Sequence, residues 1–219
     1  MSSCGGVGHS NREYIIPAST SRKELTMKKI LIVALFLVVG TTVGAQDLQT
    51  RFVFHPTVDI SDHWFLTGWA IGNAKLESPN NINLFGGVGY RKPKWWLEGM
   101  IQRQWSKTGN QLLLDSRFQE QIRNRTTLYV EVAPFLNKPA VYDFVILEYR
   151  TWRKINIGAE TENAHKPGLD LLGGGPRISY PIGVIGKVKV TAALSYQMRR
   201  QERDALRFYF VLNRRFMKK

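Results

Sequence analysis

From Trp64 to Phe216 apolar and polar residues alternate in runs of about ten, separated by turn-forming clusters. Residues 186–199 (GKVKVTAALSYQMR) show the pattern most plainly. Val188, Val190, Ala192, Leu194, Tyr196 and Met198 share one face, and Lys187, Lys189, Thr191, Ser195, Gln197 and Arg199 share the other. Successive side chains of a strand point in opposite directions, so the pattern predicts strands with one greasy and one wet face. The last run repeats it, with Leu206, Phe208, Phe210, Leu212 and Phe216 against Arg207, Tyr209, Asn213 and Arg215. Leu112, Leu114 and Phe118 likewise oppose Gln111, Asp115 and Arg117; Leu128, Val130 and Val132 oppose Tyr129 and Glu131. Trp95, Leu97 and Ile101 oppose Glu98, Gln102 and Gln104, and Ile157 opposes Asn156, Glu160 and Glu162.

Ten strands are expected, near 63–74, 82–91, 95–105, 111–119, 126–135, 141–152, 154–162, 169–180, 184–199 and 205–216, with eight and twelve open. Segment 51–60 (RFVFHPTVDI) also reads as a strand. It is set aside as an extended lead-in, because bacterial single-chain barrels use even counts. Runs of nine to eleven residues match a tilted strand crossing a bilayer, whereas strands of soluble sheets average five or six. A sheet in lipid must close, since an open edge leaves backbone groups unsatisfied at several kcal/mol each. The expected fold is therefore all-β: a closed antiparallel up-and-down transmembrane β-barrel.

A leader supports export. From Met27 the chain reads MKKILIVALFLVVGTTVGAQ: two lysines, an apolar stretch too short to cross a bilayer, then small residues. This is a secretory signal peptide over 27–45, with cleavage expected after Ala45. Residues 1–26 lack periodicity and precede a complete signal, so they are read as a non-native upstream extension, leaving 46–219 as the barrel. Connections at 75–81, 106–110, 136–140, 163–168 and 200–204 alternate with generally shorter ones at 92–94, 120–125, 153 and 181–183, as in barrels with short periplasmic turns and longer outer loops. Ten strands would put both termini on the periplasmic side. Trp64, Trp95, Trp96, Trp105 and Trp152, with Tyr90, Tyr142, Tyr149 and Tyr180, fall near strand ends, where interfacial aromatics belong. Arg103 lies on the apolar side, close enough to the interface to snorkel. Turned inside out, the same alternation would give a soluble periplasmic ligand-binding β-barrel.

Composition adds sign. Residues 46–219 hold 26 Lys and Arg against 15 Asp and Glu, a formal charge of +11, and no cysteine. In an exported protein this favours anionic lipid, polysaccharide or small anions and argues against nucleic acid. With signal, alternation, aromatic ends and the final strand ALRFYFVLNRRF, residues 27–219 resemble the small outer-membrane β-barrel proteins of Gram-negative bacteria. The RNR segment at 123–125 is similar to that of small uncharacterised members. The resemblance implies residence in the outer membrane and contact with outer-membrane lipid and the barrel-assembly machinery. That machinery often recognises a terminal aromatic residue; here Phe216 is followed by Met217-Lys218-Lys219, which weakens this signal.

Strand parity nominates a charged lumen: Arg91, Arg117, Glu131, Glu148, Arg150, Arg177, Lys189, Arg199, Arg207 and Arg215, with Lys187, Glu98, Asp115, Glu160 and Glu162. Cations outnumber anions. A positive lumen favours passage of small anionic solutes; a salt-bridged filling of a narrow barrel is the structural alternative. An outer-membrane lipid or peptide hydrolase is a further reading, resting on His165 beside Glu160 and Glu162 or on Ser61-Asp62-His63. Neither cluster has a specific catalytic spacing, so no catalytic residue is assigned and enzymatic function is disfavoured. Gly173-Gly174-Gly175-Pro176 lacks the Lys-Ser/Thr and helix of a phosphate loop and reads as a bend or bulge. No metal or cofactor is assigned.

Overall fold

The computed structural model describes residues 47–75, 81–106, 109–152 and 154–217, so the expected leader and upstream extension lie outside the described residues. The named elements are all strands: β1 (Asp47–Asp59), β2 (Trp64–Lys75), β3 (Asn81–Arg91), β4 (Trp95–Ser106), β5 (Gly109–Arg123), β6 (Thr126–Pro134), β7 (Val141–Arg150), β8 (Asn156–Lys166), β9 (Leu169–Leu171), β10 (Gly173–Ile185), β11 (Val188–Arg199) and β12 (Ala205–Phe216). Neighbours in sequence pair antiparallel from β1 to β9, and β10 pairs both with β8 and with β11. The three-residue β9 pairs with β8, and Leu172 alone separates it from β10. Eleven strands thus circle a closed barrel, within the expected range.

The additional strand is β1, the segment that sequence had set aside. It pairs parallel with β12 in an unbroken register from Asp47↔Ala205 to Val58↔Phe216. The parity of the count forces this. In an up-and-down wall the first and eleventh strands run the same way, so the seam between them must be parallel. One expectation is corrected as a result: β1 begins at the opposite end of the barrel from the finish of β12, so the first and last strand ends do not share a side. We call these ends the N-terminal and C-terminal mouths.

Register also sets the barrel's dimensions. The ladder leaving Asp59 passes Glu98, Arg117, Glu131 and Glu162 to Arg199, and carrying it on by the β11–β12 and β12–β1 registers gives a stagger of about 14 residues around the barrel. With about 3.3 Å per residue and about 4.8 Å between strands, that stagger tilts the strands by ~41° around a wall of ~11 Å radius. A twelve-residue strand so tilted climbs ~30 Å along the axis.

Alternation resolves as expected over most of the wall. Phe52, Leu66, Ile82, Leu97, Ile101, Leu114 and Ile157 face outward and are exposed, Ile101 by 58%. Glu98, Asp115, Arg117, Glu160, Ser195, Gln197 and Arg207 face inward and are buried. At the start of β12, Leu206 and Phe208 also belong to the outward row yet are buried. Two aromatic placements are corrected by parity. Trp95 takes the outward position, so its neighbour Trp96 lines the lumen, and Tyr142 does the same. Outside, Trp64, Tyr90, Trp95 and Phe118 form a continuous ring row across β2 to β5 at the C-terminal mouth, with successive centroids 5.1, 5.7 and 6.4 Å apart. Arg103 is exposed near the end of β4, its guanidinium 5.0 Å from the Trp105 ring centroid.

The glycine run is regular rather than bulged: Gly173 pairs with Arg199 and Gly174 with Met198. Its reason is close approach, because a Cβ at Gly175 would stand 2.0 Å from the Tyr196 carbonyl oxygen. The irregularity falls between Pro181 and Gly183, where a turn had been expected; β10 continues to Ile185 and the turn is at 186–187. There Gly186 takes a φ of 61°, a left-handed conformation that suits glycine.

Candidate functional site

The lumen encloses a cavity of about 1000 Å³ whose lining runs from Lys138 and Lys166 at the N-terminal mouth to Lys187 and Arg215 at the C-terminal one. Three charge clusters shape it.

The first centres on Glu160 of β8, whose side chain is wholly enclosed. It accepts hydrogen bonds from Arg177 Nη1 (2.6 Å), Ser195 Oγ (2.6 Å), Tyr209 Oη (2.7 Å) and Gln197 Nε2 (2.8 Å). Arg177 also donates to Glu148 at 2.8 Å. One turn of alternation away, Glu162 pairs with Arg207 and, at 3.2 Å, with Arg51 of β1. That last pair reaches past β10, β11 and β12, so it braces the lumen across a chord rather than along the wall.

The second cluster lies on the facing wall. Arg117 is 1% exposed and donates to Asp115 at 2.8 Å and to Glu131 at 3.3 Å. Its guanidinium also lies 4.2 Å from the Trp69 ring and 4.3 Å from Phe85, an arrangement that a compact ammonium would not reproduce. Beside it, buried Glu98 accepts from Thr67 Oγ1 (2.9 Å) and Trp69 Nε1 (2.8 Å) and lies 3.0 Å from His55 Nε2. His55 is stacked on Trp69, with centroids 3.8 Å apart.

The third cluster sits at the C-terminal mouth, where Asp59 holds Arg91 at 3.0 Å and Arg215 at 2.8 Å. Lys187 and Lys189 line the same end of the cavity.

Of the residues nominated from sequence, Arg91, Arg117, Glu131, Glu148, Arg177, Lys189 and Arg215 line the main cavity. Arg199 and Arg207 line a smaller pocket of about 160 Å³ at the N-terminal mouth, where Arg199 pairs with Glu202 at 2.8 Å. Arg150 is placed elsewhere: it is exposed beside the 124–125 turn, its Nη2 3.5 Å from the Asn124 carbonyl. Sequence reading missed Arg51 and His55 because β1 had been left out of the wall. The signal was present, since Arg51, Val53, His55, Thr57 and Asp59 share one parity.

The two hydrolase groupings do not form. On β8, Glu160 and Glu162 point into the lumen while His165, of opposite parity, lies on the outer face between Asp143 (2.8 Å) and Asp170 (2.9 Å). Ser61 Oγ accepts from the Trp64 backbone N–H at 3.1 Å, and His63 packs against Tyr90 with ring centroids 5.5 Å apart. Both residues therefore serve a turn. Among the described residues no group of three or more His, Cys, Asp or Glu is arranged to hold a metal ion.

Outside the strands, two groups are tuned. Burial and the nearby Lys166 ammonium push Lys138 below the ordinary lysine range. At the β11–β12 connection, hydrogen bonds from Tyr196 Oη (2.7 Å) and the Arg199 backbone N–H (3.0 Å) hold Asp204 below the usual carboxylate range. A depressed carboxylate contributes stability that is present above its unfolded value, near pH ~4, and is lost as pH falls through the folded one. Acidification from about pH 5 is therefore expected to lower the hydrogen-exchange protection factor of the Arg199 amide, taken against its intrinsic rate at each pH, and Asp204→Asn should reduce that pH dependence; an unchanged profile in the variant would refute the assignment.

No known protein family, curated protein or solved structure matches the chain.

Proposed function

We propose that this is an outer-membrane β-barrel whose lumen forms a narrow passage for small anions. The observation that carries the reading is the direction of the two rows. A band of Phe, Leu, Ile and Val is exposed around the outside, while the charged residues are enclosed. A soluble barrel would bury that band, because a contiguous apolar surface of this extent is unfavourable in water. The ~30 Å rise of the strands and the outer aromatic row suit a bilayer with interfacial rings. Export through a signal peptide cleaved after Ala45, and delivery by the assembly machinery acting on β12, belong to the same reading.

Passage is supported by a cavity whose lining reaches both mouths and by lysines at each of them. The Arg51–Glu162 chord narrows the lumen, which favours small solutes over bulky ones. The refolded protein should migrate faster unheated than boiled on a denaturing gel, and in planar bilayers it should give small, anion-selective current steps. Recovery as a soluble periplasmic protein would sink the membrane reading. A folded, inserted barrel without conductance would leave a structural role, with the ion-pair clusters acting as filling.

A further inference from the structure

We propose that the C-terminal mouth of the lumen contains a binding site for small oxyanions of the phosphate class, recognised by Lys187, Lys189, Arg91 and Arg215. The inference deepens the anion-passage reading and rests on it for the direction of traffic, while the site itself requires the folded barrel alone.

Charge balance distinguishes this place from the rest of the lumen. Arg51, Arg117, Arg177 and Arg207 each engage carboxylates that lie within the two inner clusters. At the C-terminal mouth, Asp59 alone is shared between Arg91 and Arg215. The next carboxylate inward, Glu98, is already occupied by His55, Thr67 and Trp69. Lys187 and Lys189 have no ion-pair partner among the described residues.

The register brings these groups together. Lys189 lies opposite Asn213, and Val188 opposite Arg214, so Lys187 falls beside Arg215 one step further along. Across the seam Arg215 meets Thr57, and Asn213 meets His55. Two arginines therefore share one carboxylate, while two lysines line the same end of the cavity and a hydroxyl and an amide lie adjacent in the register. Arg214, whose Nε is buried without a hydrogen-bond partner, borders the same end of the cavity.

Lys187, Lys189 and Arg215 are exposed at this mouth, where an entering oxyanion can reach them and offset the repulsion between neighbouring cations. Guanidinium forks suit paired oxygens, and ammonium groups supply point charge. Low-dielectric walls strengthen the attraction relative to open water. The other mouth is poorer in cations: Lys138 and Lys166 line it together with the neutral amides of Asn81, Gln104 and Gln111.

The test is calorimetric titration of the refolded full barrel in detergent with inorganic phosphate and pyrophosphate at constant ionic strength. One saturable site is expected, weakened about tenfold or more in Lys187→Ala/Lys189→Ala and unchanged in Lys138→Ala/Lys166→Ala, with heat-dependent gel mobility confirming that each variant is folded. In bilayers, phosphate should block chloride current preferentially from one side. Conductance without saturable binding would overturn the site and leave the passage standing. Binding without conductance would keep the site and remove the passage. Binding that the double variant leaves intact, or that both double variants weaken equally, would also overturn the assignment.

Discussion

A disulfide between positions 52 and 210 is expected to form on mild oxidation of the Phe52→Cys/Phe210→Cys variant. These residues are register partners across the parallel seam, and their rings already stack at 5.5 Å. The bond would close a long loop, so chain entropy alone predicts stabilisation of up to ~5 kcal/mol, less the ~1 kcal/mol of ring stacking that is lost. The decisive control is Phe54→Cys/Phe208→Cys. In the parallel register Phe54 meets Leu212, which leaves these two positions out of bonding range, whereas an antiparallel ladder through 52 and 210 would join them. A non-reducing gel separates the cases. Cross-linking of the control and not of the first variant would show that the barrel closes differently.

Loss of the Glu160 carboxylate is expected to have the second largest effect. Glu160→Ala leaves the donors on Ser195, Gln197 and Tyr209 without this acceptor and removes one of the two carboxylates that hold buried Arg177. Breaking a buried charged pair from one side costs about 3–5 kcal/mol, because the remaining groups stay desolvated. Glu160→Gln keeps the volume and one acceptor oxygen, so it should fall between Ala and the native protein. Urea unfolding in detergent, followed by tryptophan fluorescence and gel mobility, provides the measure. A change below about 1 kcal/mol for Glu160→Ala would mean that lumen water replaces the carboxylate, in which case the cluster adds little to the wall's stability.

Both predictions depend on features that differ in how far local sequence reveals them. The wall was legible because strand period is local: each residue's parity assigns its face wherever the run is long and alternating. Leu97, Ile101, Arg117 and Glu160 point as their positions in the sequence say they should. Single positions failed where two cues conflicted. Trp95 and Trp96 both lie at the start of β4, but adjacent residues face opposite ways, so one indole had to enter the lumen.

Closure was a different kind of question. Strands β2 to β12 alone would make the even, ten-membered wall that sequence suggested, and their two edges run antiparallel. β1 enters between those edges and makes the seam parallel, a choice set by pairing between residues about 158 apart in the chain. The pairing of charges was equally beyond local reading. Parity placed cations and anions inside, but which of them meet depends on the stagger and on chords across the lumen, as Arg51 and Glu162 illustrate. Sequence by itself determined the strands and the faces they turn outward, since both follow from the alternation of neighbours. Tertiary structure alone decided the number that closes, the direction of the seam and which charges at the C-terminal mouth go unmatched, because these depend on which distant strands come to lie side by side.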